Sequence, residues 1–142
     1  MNFQWLQMRV QEEQERRERE AQILARLPRA LEETYRHLAA CIEAYAAAFG
    51  PESADIHLQA SKIRVNIREE QDGKWQQHAK IEMSIIASLP GFRIERGGDP
   101  LMIEVGLLPG DKLFYRDKDE FLTMDELTRR TLDRALFPKL GE

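Results

Sequence analysis

Phe49-Gly50-Pro51 divides the chain into two halves with different hydrophobic periods. Ahead of it, charged and apolar residues recur at helical spacing and nothing alternates as a strand would. Behind it runs Lys62-Ile63-Arg64-Val65-Asn66-Ile67-Arg68, apolar at every second position, with turn signals at Asp72-Gly73, Pro90-Gly91, Gly97-Gly98 and Pro109-Gly110. Helices first and an antiparallel sheet second make this an α+β chain.

Toward the N-terminus, Leu24, Leu31, Tyr35, Leu38, Ile42, Tyr45 and Phe49 form one apolar stripe, spaced alternately four and three from Leu31 onward. This a/d spacing covers fewer than the three or four heptads of a dedicated coiled coil, so the stripe is expected to pack on a sheet, the alternative being an intermolecular helix pair. Gly50-Pro51 ends the helix, and Pro28 fits a helix first turn, so residues 1–49 form either one kinked helix or two. Cys41, beside the stripe, reads as a small buried hydrophobe and not as a nucleophile.

Further out, residues 11–20 (Gln-Glu-Glu-Gln-Glu-Arg-Arg-Glu-Arg-Glu) contain no apolar side chain. Glu12, Glu13 and Glu15 stand four residues before Arg16, Arg17 and Arg19, the favourable order for helical ion pairs. A helix with no face to bury cannot belong to a core, so residues 1–20 are expected to project. That strands Phe3, Trp5, Leu6, Met8 and Val10 beyond the domain. These five are expected to contact a second copy or a protein partner, the alternatives being an intramolecular cap or a frayed end, and deleting residues 1–20 should then lower the oligomeric mass.

Toward the C-terminus, Ile63, Val65 and Ile67 share odd parity with Ala79, Ile81, Met83 and Ile85. A three-residue loop with Gly73 left-handed makes paired numbers sum to 144, setting Ile63 against Ile81, Val65 against Ala79, Lys62 against Glu82, Arg64 against Lys80, Asn66 against His78 and Arg68 against Gln76. Ile56, Leu58 and Ala60 have the opposite parity, which predicts a bulge near Ser61. With strands over Phe92–Arg96, Leu101–Val105 and Lys112–Arg116, residues 51–122 form a meander of four to five strands. Thr123-Met124-Asp125-Glu126 is a capping box, flanked by a Leu122–Leu127 staple, and opens a C-terminal helix over residues 123–137 that packs on the sheet.

The chain has 142 residues, 42% hydrophobic and 32% charged, which suits one domain over residues 1–142. Its 21 basic and 25 acidic side chains leave a formal charge of −4, too balanced to attract nucleic acid or membrane through the long-range field. A single cysteine rules out an intrachain disulfide, and with no signal-peptide pattern and no membrane-length apolar run a cytoplasmic location is expected.

Motifs for chemistry are sparse. His37, His57 and His78 fall in no zinc pattern, Asp117, Asp119 and Glu120 lack the glycine of a calcium loop, and Gly97-Gly98 leads into a strand instead of a helix N-terminus. No metal and no cofactor are expected. The outer face of the hairpin gathers Lys62, Arg64, Arg68, His78 and Lys80, joined by Arg93, against Glu82 and Glu95. Arg64 facing Lys80 is a like-charge mismatch, which motivates an anionic ligand there. Nucleic acid is disfavoured because no aromatics interleave these cations.

The resulting expectation is a small soluble interaction or ligand-binding module, self-associating through helices or sheet edges. The alternative is a small-molecule enzyme with a pocket between sheet and helices, where Tyr35, Tyr45, His37, His57 or Asp55 supply acid-base groups. The layout resembles cystatin-like and NTF2-like folds in architecture alone, and such a resemblance implies no function.

Overall fold

All 46 residues from Gln4 to Phe49 lie in one α-helix, α1 (Gln4–Phe49), in a computed structural model that describes residues 3–140. Met1, Asn2, Gly141 and Glu142, which the expected domain includes, lie outside the described residues. At 1.5 Å per residue, α1 is about 69 Å long. It runs through Pro28 without interruption, which decides between one helix and two. Its buried side chains are Leu27, Ala30, Leu31, Thr34, Leu38 and Ile42, so only the C-terminal half docks. Cys41 is exposed, which corrects the expected burial: Leu38 and Ile42 take the inward arc and Cys41 is left on its flank.

The sheet has seven strands in sequential antiparallel order: β1 (Ala54–Gln59), β2 (Lys62–Gln71), β3 (Lys74–Ile86), β4 (Gly91–Glu95), β5 (Leu101–Leu108), β6 (Lys112–Asp117) and β7 (Glu120–Leu122). The expected meander is therefore present, with more strands than four or five. One addition comes from Ala60-Ser61, which forms a hairpin turn and not a bulge. Gln59 pairs with Lys62 across it, and Ile56 and Leu58 meet Val65 and Ile63. The other is β7, reached through a Lys118-Asp119 turn closed by the Asp117–Glu120 pair.

The register of β2 on β3 also differs from the parity argument. Asp72 and Gly73, with φ of 53° and 78°, make a two-residue turn between paired Gln71 and Lys74, the signature of a type I′ hairpin. Face parity is restored further along, where Ile67 pairs with Ala79 but Arg68 pairs with Gln77, leaving His78 as an extra bulged residue. Beyond the bulge, Ile63 meets Met83, Val65 meets Ile81, Asn66 meets Lys80, Arg64 meets Glu82 and Lys62 meets Ser84.

One face of the sheet supplies the core. Ile63, Val65, Ile67, Ile81, Met83, Phe92, Ile94, Ile103 and Val105 are all at most 2% exposed and close on the inward stripe of α1. Gly91 marks a close strand approach, since a Cβ there would overlap the carbonyl oxygen of Ile103. The last helix, α2 (Met124–Leu136), begins with the expected capping box: Thr123 Oγ1 accepts from Glu126 N–H at 3.1 Å, and Glu126 Oε1 accepts from Thr123 N–H at 3.2 Å. Leu127, Thr128, Thr131 and Leu132 are buried where α2 meets α1 and the sheet.

Candidate functional site

The N-terminal part of α1 is an arm without a core of its own. Leu27 is its first buried residue, and every described residue before Glu13 is exposed. Phe3, Trp5, Leu6, Met8 and Val10 are 53%, 66%, 43%, 57% and 47% exposed. The polar decapeptide stabilises the arm through helical pairs, with the preceding Arg9 2.9 Å from Glu12, Arg16 2.6 and 2.7 Å from Glu13 and Glu20, and Arg17 3.3 Å from Glu13. Such solvated helical pairs contribute only tenths of a kcal/mol each.

At the root of the arm lies a cleft of about 900 Å³, between α1 and the ends of the central strands. It opens beside the start of β4, where the β3–β4 loop crosses, held to β5 by a Val105 N–H to Pro90 carbonyl bond of 2.9 Å. Ile23, Ile86, Leu89, Phe92, Leu107 and Phe114 give it apolar walls. Arg16, Arg19 and Glu20 of the arm, Glu104 and Arg116 of the sheet and Lys118 of the β6–β7 turn form its rim. Leu89 and Leu108, both lining it, are 70% and 47% exposed. Asp111 in the β5–β6 turn ties down the root of the arm by pairing with Arg26 and, at 3.6 Å, with Arg29.

None of Tyr35, Tyr45, His37, His57 and Asp55 lines this cleft. Tyr45 instead contacts the rings of Phe49 and Phe137, at 4.8 and 5.7 Å between centroids. Asp55, on β1, accepts from Asn66 at 3.0 Å, pairs with Arg68 and lies 3.2 Å from His57 Nε2. Burial would raise its pKa, but the hydrogen bonds from Asn66 and Arg68 and the nearby positive charge outweigh this and hold it low.

The five hairpin residues of the expected anion site divide into three groups. Lys62, Arg64 and Lys80 surround Glu82 at 3.7, 3.6 and 3.1 Å, Arg68 belongs to Asp55, and His78 Nε2 lies 3.8 Å from Glu69. The expected Arg64–Lys80 opposition is absent because the bulge at His78 moves the register, and the carboxylate that relieves these cations, Glu82, lies opposite Arg64 on the strand that also carries Lys80. Hydrogen bonding from Lys80, then the charges of Lys62 and Arg64, lowers the pKa of Glu82. Arg93 pairs separately with Glu95, at 2.5 Å. The acidic turn is likewise occupied: Arg130 of α2 pairs with Asp117 at 2.8 Å and with Glu120.

The arm tip was legible in the sequence, because ten polar residues isolate it. The cleft was not, since it depends on where the β3–β4 loop comes to rest against a helix more than sixty residues earlier. Among the described residues no helix is long and apolar enough to cross a membrane. No family model, curated protein or solved structure matches the chain.

Proposed function

We propose that the chain is a small interaction module that self-associates through its N-terminal helical arm. One observation carries this reading: five large apolar side chains, Phe3 at the N-cap of a continuous helix and Trp5, Leu6, Met8 and Val10 in its first turns, are left exposed by the described residues of their own chain. Keeping such a patch in water is unfavourable by roughly 25 cal/mol per Å², a cost that a partner removes. The unbroken backbone of α1 holds the arm out, so little ordering entropy opposes the association. The exposed thiol of Cys41 supports a reducing compartment.

The test is the native mass of the full-length chain beside that of Trp5→Gln/Leu6→Gln/Met8→Gln/Val10→Gln, in which glutamine keeps the helix propensity and removes the apolar surface. The expected result is an oligomer for the first and a lower mass for the second. A single-chain mass for the unaltered protein at micromolar concentration overturns the reading.

A second reading rests on the Glu82 cluster. Three cations around one carboxylate leave an excess of positive charge, which supports a weak site for a small anion on the outer face.

A further inference from the structure

We propose that two copies pair through antiparallel arms about a twofold axis at the level of Glu15, so that the apolar tip of each arm reaches the cleft at the root of the other. This rests on the self-association proposed above and adds its partner, orientation and register.

The argument begins with the helix face that continues the core stripe outward. Leu6, Val10, Glu13, Arg17, Glu20 and Leu24 advance in steps of four and three, and the same frame runs on through Leu27 and Leu31, which α1 buries. These are seam positions of a heptad. Arms laid antiparallel with paired numbers summing to 30 place Leu6 on Leu24, Val10 on Glu20 and Glu13 on Arg17, each layer occurring twice by symmetry. The central layers then hold two intermolecular Glu13–Arg17 pairs.

A parallel, in-register pair would instead set Glu13 on Glu13, Arg17 on Arg17 and Glu20 on Glu20. Polar residues at seam positions select orientation in this way, by making the wrong arrangement repulsive. The present partners of Glu13 and Arg17 are solvated neighbours on their own helix, so exchanging them across an interface costs little.

The apolar surfaces agree with the same register. Leu6 stands nine residues before Glu15 and Leu24 nine after it, so Leu6 and its neighbours Phe3 and Trp5 arrive beside Leu24 and Ile23 of the second copy. Ile23 is where the cleft begins, and Leu89 and Leu108 lie exposed on its walls. The two unsatisfied apolar surfaces of one chain, tip and cleft, thereby sit at equal distances on either side of the axis. The tip adds a single cation and no acid, and its Arg9 comes near Glu20 on the rim of the other cleft.

The test is disulfide trapping in full-length chains carrying Cys41→Ser. Val10→Cys and Glu20→Cys chains, mixed under mild oxidation, should give a covalent heterodimer, whereas each alone should stay uncrosslinked. In the antiparallel pair the two copies of residue 10 lie about 15 Å apart along the arms, beyond the roughly 7 Å that a disulfide spans between Cα atoms. Glu13→Arg and Arg17→Glu should each weaken the dimer, and the double exchange should restore it. Leu89→Asp, in the cleft wall, should weaken it by about tenfold or more. Efficient self-crosslinking of Val10→Cys, or no crosslink in the mixture while the native mass stays dimeric, overturns this register but leaves self-association standing. An unchanged dimer affinity for Leu89→Asp removes the cleft from the contact, and a single-chain native mass overturns both proposals.

Discussion

Arg64 on β2 stands directly opposite Glu82 on β3, with its Nε 3.6 Å from the carboxylate that Lys62 and Lys80 also approach. One acidic group holds three cations on an open strand face, so removing its charge leaves three positive charges with no counter-charge among them. Glu82→Gln is expected to strengthen retention on immobilised heparin several-fold at low salt, with the gain fading as screening shortens the interaction range. Unchanged retention would remove the outer face from consideration as an anion site.

Asp55 binds β1 to β2 through Asn66 and Arg68, and its pKa is lowered in the folded chain. A carboxylate with a lowered folded pKa contributes stability that is fully present above its unfolded value of about 3.9 and is lost as pH falls through the folded value. Asp55→Asn should therefore destabilise the chain by about 1–2 kcal/mol at neutral pH. The gap between variant and parent should close below about pH 4. Urea midpoints at pH 7 and pH 3 measure it, and an equal gap at both would show that the charge is not what binds the strands.

The order of helix, sheet and helix is legible because the hydrophobic period changes at Phe49-Gly50-Pro51 and a capping box announces α2. Strand number is less legible because two of the hairpin turns use residues that do not signal a left-handed backbone. Ala60 and Lys118 adopt φ of 57° and 56° without being glycine, asparagine or aspartate. Parity required one extra residue between Ile67 and Ala79, and either a longer loop or a bulge supplies it. Nothing in Gln76-Gln77-His78 distinguishes the two, so the charge pairs on the outer face, which follow the register, could not be assigned from spacing.

Tyr115 on β6 is 5% exposed, and its hydroxyl has no hydrogen-bond partner among the described residues. Its neighbour Thr34 donates to the carbonyl of Ala30 at 2.8 Å instead. Burial pushes the Tyr115 pKa up to about 12, from an ordinary value of 10.0. Tyr115→Phe removes a desolvated polar atom and keeps the ring on Phe92, so stability should hold or rise by about 1 kcal/mol near neutral pH. A phenol protonated to a higher pH when folded loses its contribution as pH climbs from the unfolded to the folded value. The variant should thus escape part of the stability loss between pH 10 and 12, and parallel alkaline denaturation of the two chains would reveal it.

Pro28 lies one residue beyond Leu27, the first buried side chain of α1, and so at the junction of arm and docked half. With no N–H, it leaves the carbonyl of Leu24 without its intrahelical donor, and its ring crowds that carbonyl. The helix nevertheless continues on both sides, because Leu27, Ala30 and Leu31 are held by the core and Arg26 and Arg29 by Asp111. Tertiary contacts thus offset a local cost of about 3 kcal/mol. Pro28→Ala should restore the hydrogen bond and raise the folding free energy by about 1–3 kcal/mol, read from the urea midpoint. If Pro28 also sets the direction of the arm toward the cleft of a second copy, the same variant should be more stable as a single chain and weaker as a dimer. A gain in both would show that the direction of the arm is set by the docked half alone.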